Sequence, residues 1–191
     1  MDWRLEHRIA NFALGHHWVG SLFHGVEAIS IPLMVVLTGL LWFFSRPGEN
    51  RKWKLACASG FAAAALAFIA NFVIHTIHDR ARPYEAHVFR HPWSSSTDAS
   101  FPSDHTSISF AIAFAVLMFD RTVGLLFLAV AAVIGIGRLF IGAHYPGDVL
   151  GGVVVGLVAA YVVVRLLRPF VAWVVRGVER ATDPLVGRIA R

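Results

Sequence analysis

Five long apolar stretches, separated by short polar turns, set the pattern of this chain. Residues 18–44 form the first, interrupted by His24 and Glu27, and "SRPGENRKWK" closes it. Residues 55–78 form the second, with Asn71 and His75 near its end. Residues 104–119, 122–141 and 147–167 form the rest. A spanning helix needs about 20 residues, within a range near 17–25, so the pattern predicts five spans, three of them at the short end. Six is the alternative, if the N-terminal segment also inserts. Residues 3–14 place Leu5, Ile9, Phe12 and Ala13 together at helical spacing, with Gly15 as a stop. Residues 170–182 group Phe170, Trp173, Val174 and Val178. Both segments read as amphipathic helices lying in the interface. The expected fold is an all-α, polytopic membrane helix bundle, and the length predicts one domain over 1–191.

Composition agrees. Hydrophobic residues make up 57% of the chain and charged ones 15%, against about 45–50% and 25% in soluble domains. The one cysteine, Cys57, excludes an internal disulfide and a cysteine-based metal site. It reads as a small core or lipid-facing residue. The charged N-terminus lacks the apolar core and small-residue site of a cleavable signal peptide. The alanine run at 62–65 offers a small-residue face for close helix packing.

Lys and Arg distribution predicts orientation. One side collects Arg46, Arg51, Lys52, Lys54, Arg121, Arg165, Arg168, Arg176, Arg180, Arg188 and Arg191; the other collects Arg4, Arg8, Arg80, Arg82, Arg90 and Arg138. The richer side is expected in the cytoplasm. The long polar segment 79–102, "FPSDH" and "GRLFIGAHYPGD" then meet at the outer surface.

What converges there is cationic: His75, Arg80 and Arg82 from the second stretch, Ser103, Asp104 and His105 at the start of the third, and Arg138, His144 and Asp148 around the last turn. A helix start and arginine forks suit a phosphate. His144 and Asp148 stand four apart, so the carboxylate can hold one imidazole nitrogen protonated and leave the other as a nucleophile. His105 can protonate a leaving oxygen. The chemistry expected is phosphoryl transfer through a phosphohistidine. Glu27, His24 and Asn71 read as buried polar groups satisfied between helices, with Glu27 and His24 alternatively pairing or reaching the site from below; His87, Arg90, His91 and Trp93 read as a solvated loop, alternatively in contact with headgroup or second phosphates. The ten histidines lack a repeated ligand spacing.

"HTIHDRARP" (75–83), "PSDH" (102–105) and "RLFIGAHYPGD" (138–148) resemble the three motifs of the type 2 phosphatidic acid phosphatase superfamily, K-x6-R-P, P-S-G-H and S-R-x5-H-x3-D. The resemblance implies that His144 is the nucleophile, Asp148 its orienting acid and His105 the general acid. Arg82, Arg138, Ser103 and position 104 would hold the phosphate, with His75 beside them. It implies no metal and no cofactor. Three positions depart from the pattern: His75 replaces lysine, Asp104 glycine, and Gly137 serine. "FPSDHT" is similar to bacterial undecaprenyl-diphosphate phosphatases of the bacitracin-resistance type. That similarity implies a polyprenyl diphosphate substrate, hydrolysed at the extracytoplasmic face of a bacterial plasma membrane. The alternatives are a phosphatidylglycerophosphate or phosphatidate phosphatase, and a non-hydrolytic lipid-phosphate binding or transport protein. The expected partners are the lipid substrate and the bilayer, without nucleic acid or an obligate protein partner.

Overall fold

A computed structural model describes residues 2–44, 51–87 and 93–189. Its elements are α1 (Asp2–Gly15), α2 (His17–Leu40), α3 (Lys52–Ile77), α4 (Pro83–Ala86), α5 (Asp104–Leu117), α6 (Arg121–Phe140), α7 (Pro146–Tyr161) and α8 (Arg168–Ile189). A 3₁₀ turn, Leu41–Phe44, prolongs α2, and a π-helical turn, Val162–Leu166, prolongs α7. No strand occurs among the described residues. Four helical stretches are long and apolar enough to cross a membrane: His17–Phe44, Lys52–Ile77, Arg121–Phe140 and Pro146–Leu166. The fifth apolar stretch, α5, has 14 residues. The N-terminal helix is not among the candidate spans.

Local chemistry sets the ends that matter for the site. Asp120 caps α6, its Oδ1 accepting the Val123 N–H at 3.0 Å. Pro146 opens α7, as its fixed φ and missing donor favour. Gly142, with φ 71°, reverses the chain after α6. A side chain there would be strained, which is why glycine ends so many helices.

The short helix α5 is the centre of the bundle and packs against α3, α6 and α7. Its buried residues are small or hydroxylated: Thr106, Ser107, Ser109, Ala111, Ala113 and Ala115. Opposite, Gly152 and Gly156 of α7 bring backbone to backbone: a Cβ at Gly156 would lie 2.8 Å from the Ala111 nitrogen. Lipid tails are as apolar as leucine, so such close contact rather than hydrophobicity drives this packing. Ala63 and Ala67 of α3 join it, and Cys57 is buried in the core rather than facing lipid.

At one end, charges close the bundle. Lys52 reaches Asp120 at 2.5 Å, while Arg51 and Lys54 hold Glu179 of α8 at 2.7 and 3.3 Å. The two terminal helices divide their faces in the same way. In α1 the buried residues are Glu6, Ala10 and Ala13, with Leu5 and Phe12 exposed. In α8, Val171 and Val175 face inward and Phe170 and Trp173 outward. Small side chains let each helix approach the bundle, so the large apolar ones are left for lipid.

Glu6 is fully buried and neither of its carboxyl oxygens has a hydrogen-bond partner. Burial pushes its carboxyl up from the ordinary 4.5 to about 8. In the unfolded chain it ionises near its ordinary value, so stability falls as pH rises between the two. Glu6→Gln removes this titration. The variant is expected to gain more thermal stability over the native protein at pH 8 than at pH 5, measured by unfolding in detergent. An equal difference at both pH values would refute the account.

Candidate active site

At the other end of the bundle, six segments enclose a cavity of about 110 Å³. It is lined by Glu27 of α2, His75 of α3, Arg82 and Asp98 of the long loop, Asp104 and His105 of α5, Arg138 of α6 and His144. A water needs roughly 10–15 Å³ of such space, so a phosphoryl group fits.

His144 sits in the turn between α6 and α7, only 2% exposed. Its Nδ1–H donates to the Ser100 carbonyl at 2.8 Å. With that proton held, Nε2 carries the lone pair, and it faces Arg82 Nη1 and Arg138 Nη2, each at 3.3 Å. Burial, with both arginines assisting and Asp148 opposing, pulls the imidazole down from 6.5 to about 3. The ring is therefore neutral throughout the physiological range.

Asp148 was expected to hold Nδ1 directly. Its Oδ2 lies 3.8 Å away, beyond hydrogen-bond reach, and the Ser100 carbonyl takes the proton instead. Asp148 is nevertheless anchored beneath the ring: it accepts the Ser100 hydroxyl at 2.6 Å, the Tyr145 N–H at 2.9 Å and Arg80 at 2.6 Å. It supplies a negative charge close to the imidazole rather than a hydrogen bond.

The two arginines are fixed before any ligand arrives. Arg82, 5% exposed, donates to the Asp98 carbonyl at 2.9 Å and the Ala143 carbonyl at 3.2 Å. Arg138, 3% exposed, pairs with Glu27. Glu27 in turn lies 3.6 Å from His24. Of the readings open for Glu27, the structure favours the one that reaches the site: it lines the cavity and balances Arg138. An acid inside an apolar run was the available signal.

The remaining predicted residues divide. His105 lines the cavity. His75 does too, with its Nε2 3.1 Å from the Pro102 carbonyl. Asp104 reaches the cavity wall, but Asn71 donates to its Oδ1 at 2.6 Å, which draws charge away from an incoming anion. Ser103 departs from expectation. It is fully buried, its hydroxyl accepts from Thr106 at 3.1 Å, and it is not among the lining residues. Arg80 lies behind Asp148 rather than in the cavity.

Ser100 escaped notice because its contribution is a backbone carbonyl and a hydroxyl buried 44 residues from the histidine. The loop reading changes as well. His87 stacks on Trp3 at 3.8 Å, and Trp93 packs so closely on Gly20 that a Cβ there would be 2.2 Å away. Arg90 and His91 lie outside the described residues.

Comparison with known proteins gives the family and the fold. The model of the PAP2 superfamily matches residues 53–172. Undecaprenyl-diphosphatase BcrC of Bacillus subtilis is 31% identical over 177 residues, covering 90% of each chain. Among solved structures, LpxE of Aquifex aeolicus superposes with a TM-score of 0.63 at 21% identity, over 86% of this chain and 94% of that one. A transmembrane PAP2-type phosphatidylglycerolphosphate phosphatase of Bacillus subtilis superposes with a TM-score of 0.59 at 20% identity, over 94% and 86%.

Proposed function

This chain belongs to the PAP2 superfamily and is a membrane lipid phosphatase; from that premise we propose that it converts undecaprenyl diphosphate to the monophosphate. The observation that carries the chemistry is the His144 ring, neutral, held at Nδ1 and aimed between two buried arginines. The relative named undecaprenyl-diphosphatase, alike over nearly its full length, supports the substrate.

In this reading the His144 Nε2 lone pair attacks the terminal phosphorus. The bond from phosphorus to the bridging oxygen breaks, and His105 gives that oxygen a proton. Arg82 and Arg138 offset charge on the equatorial oxygens. The imidazole becomes cationic as the N–P bond forms, and Asp148 at 3.8 Å stabilises that charge. Water then attacks the phosphohistidine, His105 takes back a proton, and orthophosphate leaves. The arginines supply the positive charge that the phosphate needs, so turnover is expected in EDTA. Glu27 yields Arg138 when the phosphate enters. His75 and Asp104 complete the wall, and Ser103 contributes through the start of α5 rather than through its hydroxyl.

We place the end carrying Lys52, Lys54 and Asp120 in the cytoplasm, by the charge bias along the chain, and the site at the extracytoplasmic face. The span 1–191 is taken as one lipid phosphatase domain. The test is phosphate release by the purified protein in detergent with EDTA, from undecaprenyl diphosphate, phosphatidylglycerophosphate and phosphatidate in parallel. The diphosphate is expected to give the highest kcat/KM. Preference for either glycerolipid overturns the substrate and leaves the mechanism. Binding of all three without release overturns the mechanism and points to a carrier.

A further inference from the structure

Arg80 makes two ion pairs that join the site to the far N-terminus of the chain. One Nη donates to Asp148 Oδ1 at 2.6 Å, and the other to Asp2 Oδ2 at 2.9 Å. The guanidinium plane also covers the Tyr145 ring, 4.1 Å from its centroid. Asp2 has a second hold on the same turn, since its Oδ1 accepts the Gly147 N–H at 3.0 Å. Gly147 is built for this seat: a Cβ there would stand 2.8 Å from the Asp2 carboxylate. The ion pairs with Asp2 and Asp148 raise the Arg80 guanidinium above its ordinary value against the cost of burial.

These contacts form a chain of alternating charge, Asp2 to Arg80 to Asp148, ending beside His144. Arg80 is not among the residues lining the cavity, so it acts on the reacting group only through Asp148. Asp148 is fully buried, and a carboxylate there without a cation is costly. Its rotamer depends on three donors from three places: the Ser100 hydroxyl, the Tyr145 N–H and Arg80. Of these, only Arg80 carries a full charge and is itself tied to α1.

Resting on the reading of His144 as nucleophile, we propose that Arg80, tethered by Asp2, is a positioning residue that holds Asp148 under the imidazole, and that the N-terminal helix is therefore a working part of the phosphatase. Docking of α1 sets the turnover rate without touching the substrate. Asp2 braces one fork of the guanidinium, which leaves the other no freedom to swing off Asp148.

The experiment compares Asp2→Asn, Arg80→Gln, Arg80→Lys and the double variant Asp2→Asn/Arg80→Gln in the full chain, with His144→Gln as control. Readouts are kcat, KM and inhibition by orthovanadate, a probe of the phosphate cavity. Losing an outer partner of a metal ligand typically costs about 10- to 100-fold, and a loss of that order is expected for the partner of Asp148. Arg80→Gln is expected to lower kcat by about that factor, with KM and vanadate inhibition within about twofold. Asp2→Asn should lower kcat by a few-fold, and the double variant should match Arg80→Gln alone, because the two residues act in series. Arg80→Lys keeps one charge for Asp148, so it should recover part of kcat. Asp2 is half-buried at a helix start, so its variant folds even if Arg80→Gln does not. Wild-type kcat in Asp2→Asn, additive losses in the double variant, or losses expressed in KM and vanadate inhibition would each overturn the proposal. Retained activity in His144→Gln would instead overturn the site reading itself.

Discussion

Replacing His144 by glutamine is expected to abolish phosphate release, by about 10⁴-fold or more, as removal of a covalent nucleophile does in other hydrolases. Glutamine keeps a polar side chain of similar length, so the arginine pair is not left facing a void. It cannot form the N–P bond. Because the native ring is held neutral at about 3, the substitution also leaves the charge of the empty cavity unchanged at neutral pH. Orthovanadate or phosphate is therefore expected to bind nearly as before, through Arg82 and Arg138. The measurement is single-turnover release with acid-quenched trapping of labelled phosphoenzyme, which the native protein should accumulate and the variant should not. Release within tenfold of native would remove His144 from the chemistry and transfer the role to His105.

The second large effect is structural. Gly156→Val is expected to prevent the bundle from assembling. A Cβ at this position would lie 2.8 Å from the Ala111 nitrogen and 2.9 Å from both the Ser107 carbonyl oxygen and the Phe110 Cβ. Two of these are backbone atoms of the central helix, which cannot rotate aside. The helices must separate, and α5 would lose the fit that places His105 at the cavity. Gly156→Ala introduces the Cβ alone and should cost about 1–3 kcal/mol, the usual range for overpacking. Gly25→Ala and Gly177→Ala are the controls, since nothing lies within 4 Å of a Cβ at either site. Thermal unfolding in detergent should rank Gly156→Val lowest, then Gly156→Ala, with both controls at the native value. A native midpoint for Gly156→Ala would show that α5 and α7 are looser than their contact implies.

The parts of the site legible in the sequence are those that one short segment carries entire. Arg138, His144 and Asp148 lie within eleven residues, and a helix end, a glycine turn and a proline start leave them little freedom in space. The same holds for His105 at the start of α5. What was not legible depends on the meeting of distant segments. The partner of His144 Nδ1 is a carbonyl, and every residue has one, so no side-chain pattern marks Ser100. Spacing alone suggested Asp148 for that role, because positions four apart on a helix are neighbours. His144, however, precedes the helix, and the turn sets its ring farther away. The grouping of apolar residues in α1 and α8 marked amphipathic helices but did not say which face meets the bundle. In water the large apolar side chains would turn inward, whereas in a bilayer the lipid accepts them and the small ones pack. Burial of α5 has no amphipathic trace for the same reason.

The shortness of α5 has a consequence for where the reaction takes place. Fourteen residues make a rod of about 21 Å, while a bilayer's hydrocarbon layer is about 30 Å thick. The cavity sits at the N-terminal end of that rod, and the other end abuts the charged floor near Asp120 and Lys52. With the charged floor at one membrane surface, the scissile group is expected to lie below the opposite plane, where other lipid phosphates lie. Leaving the headgroup layer costs the substrate hydration, which the buried arginines restore only within the cavity. The depth of that descent grows with the thickness of the surrounding membrane, so acyl-chain length in the host bilayer becomes a determinant of how readily the lipid is captured.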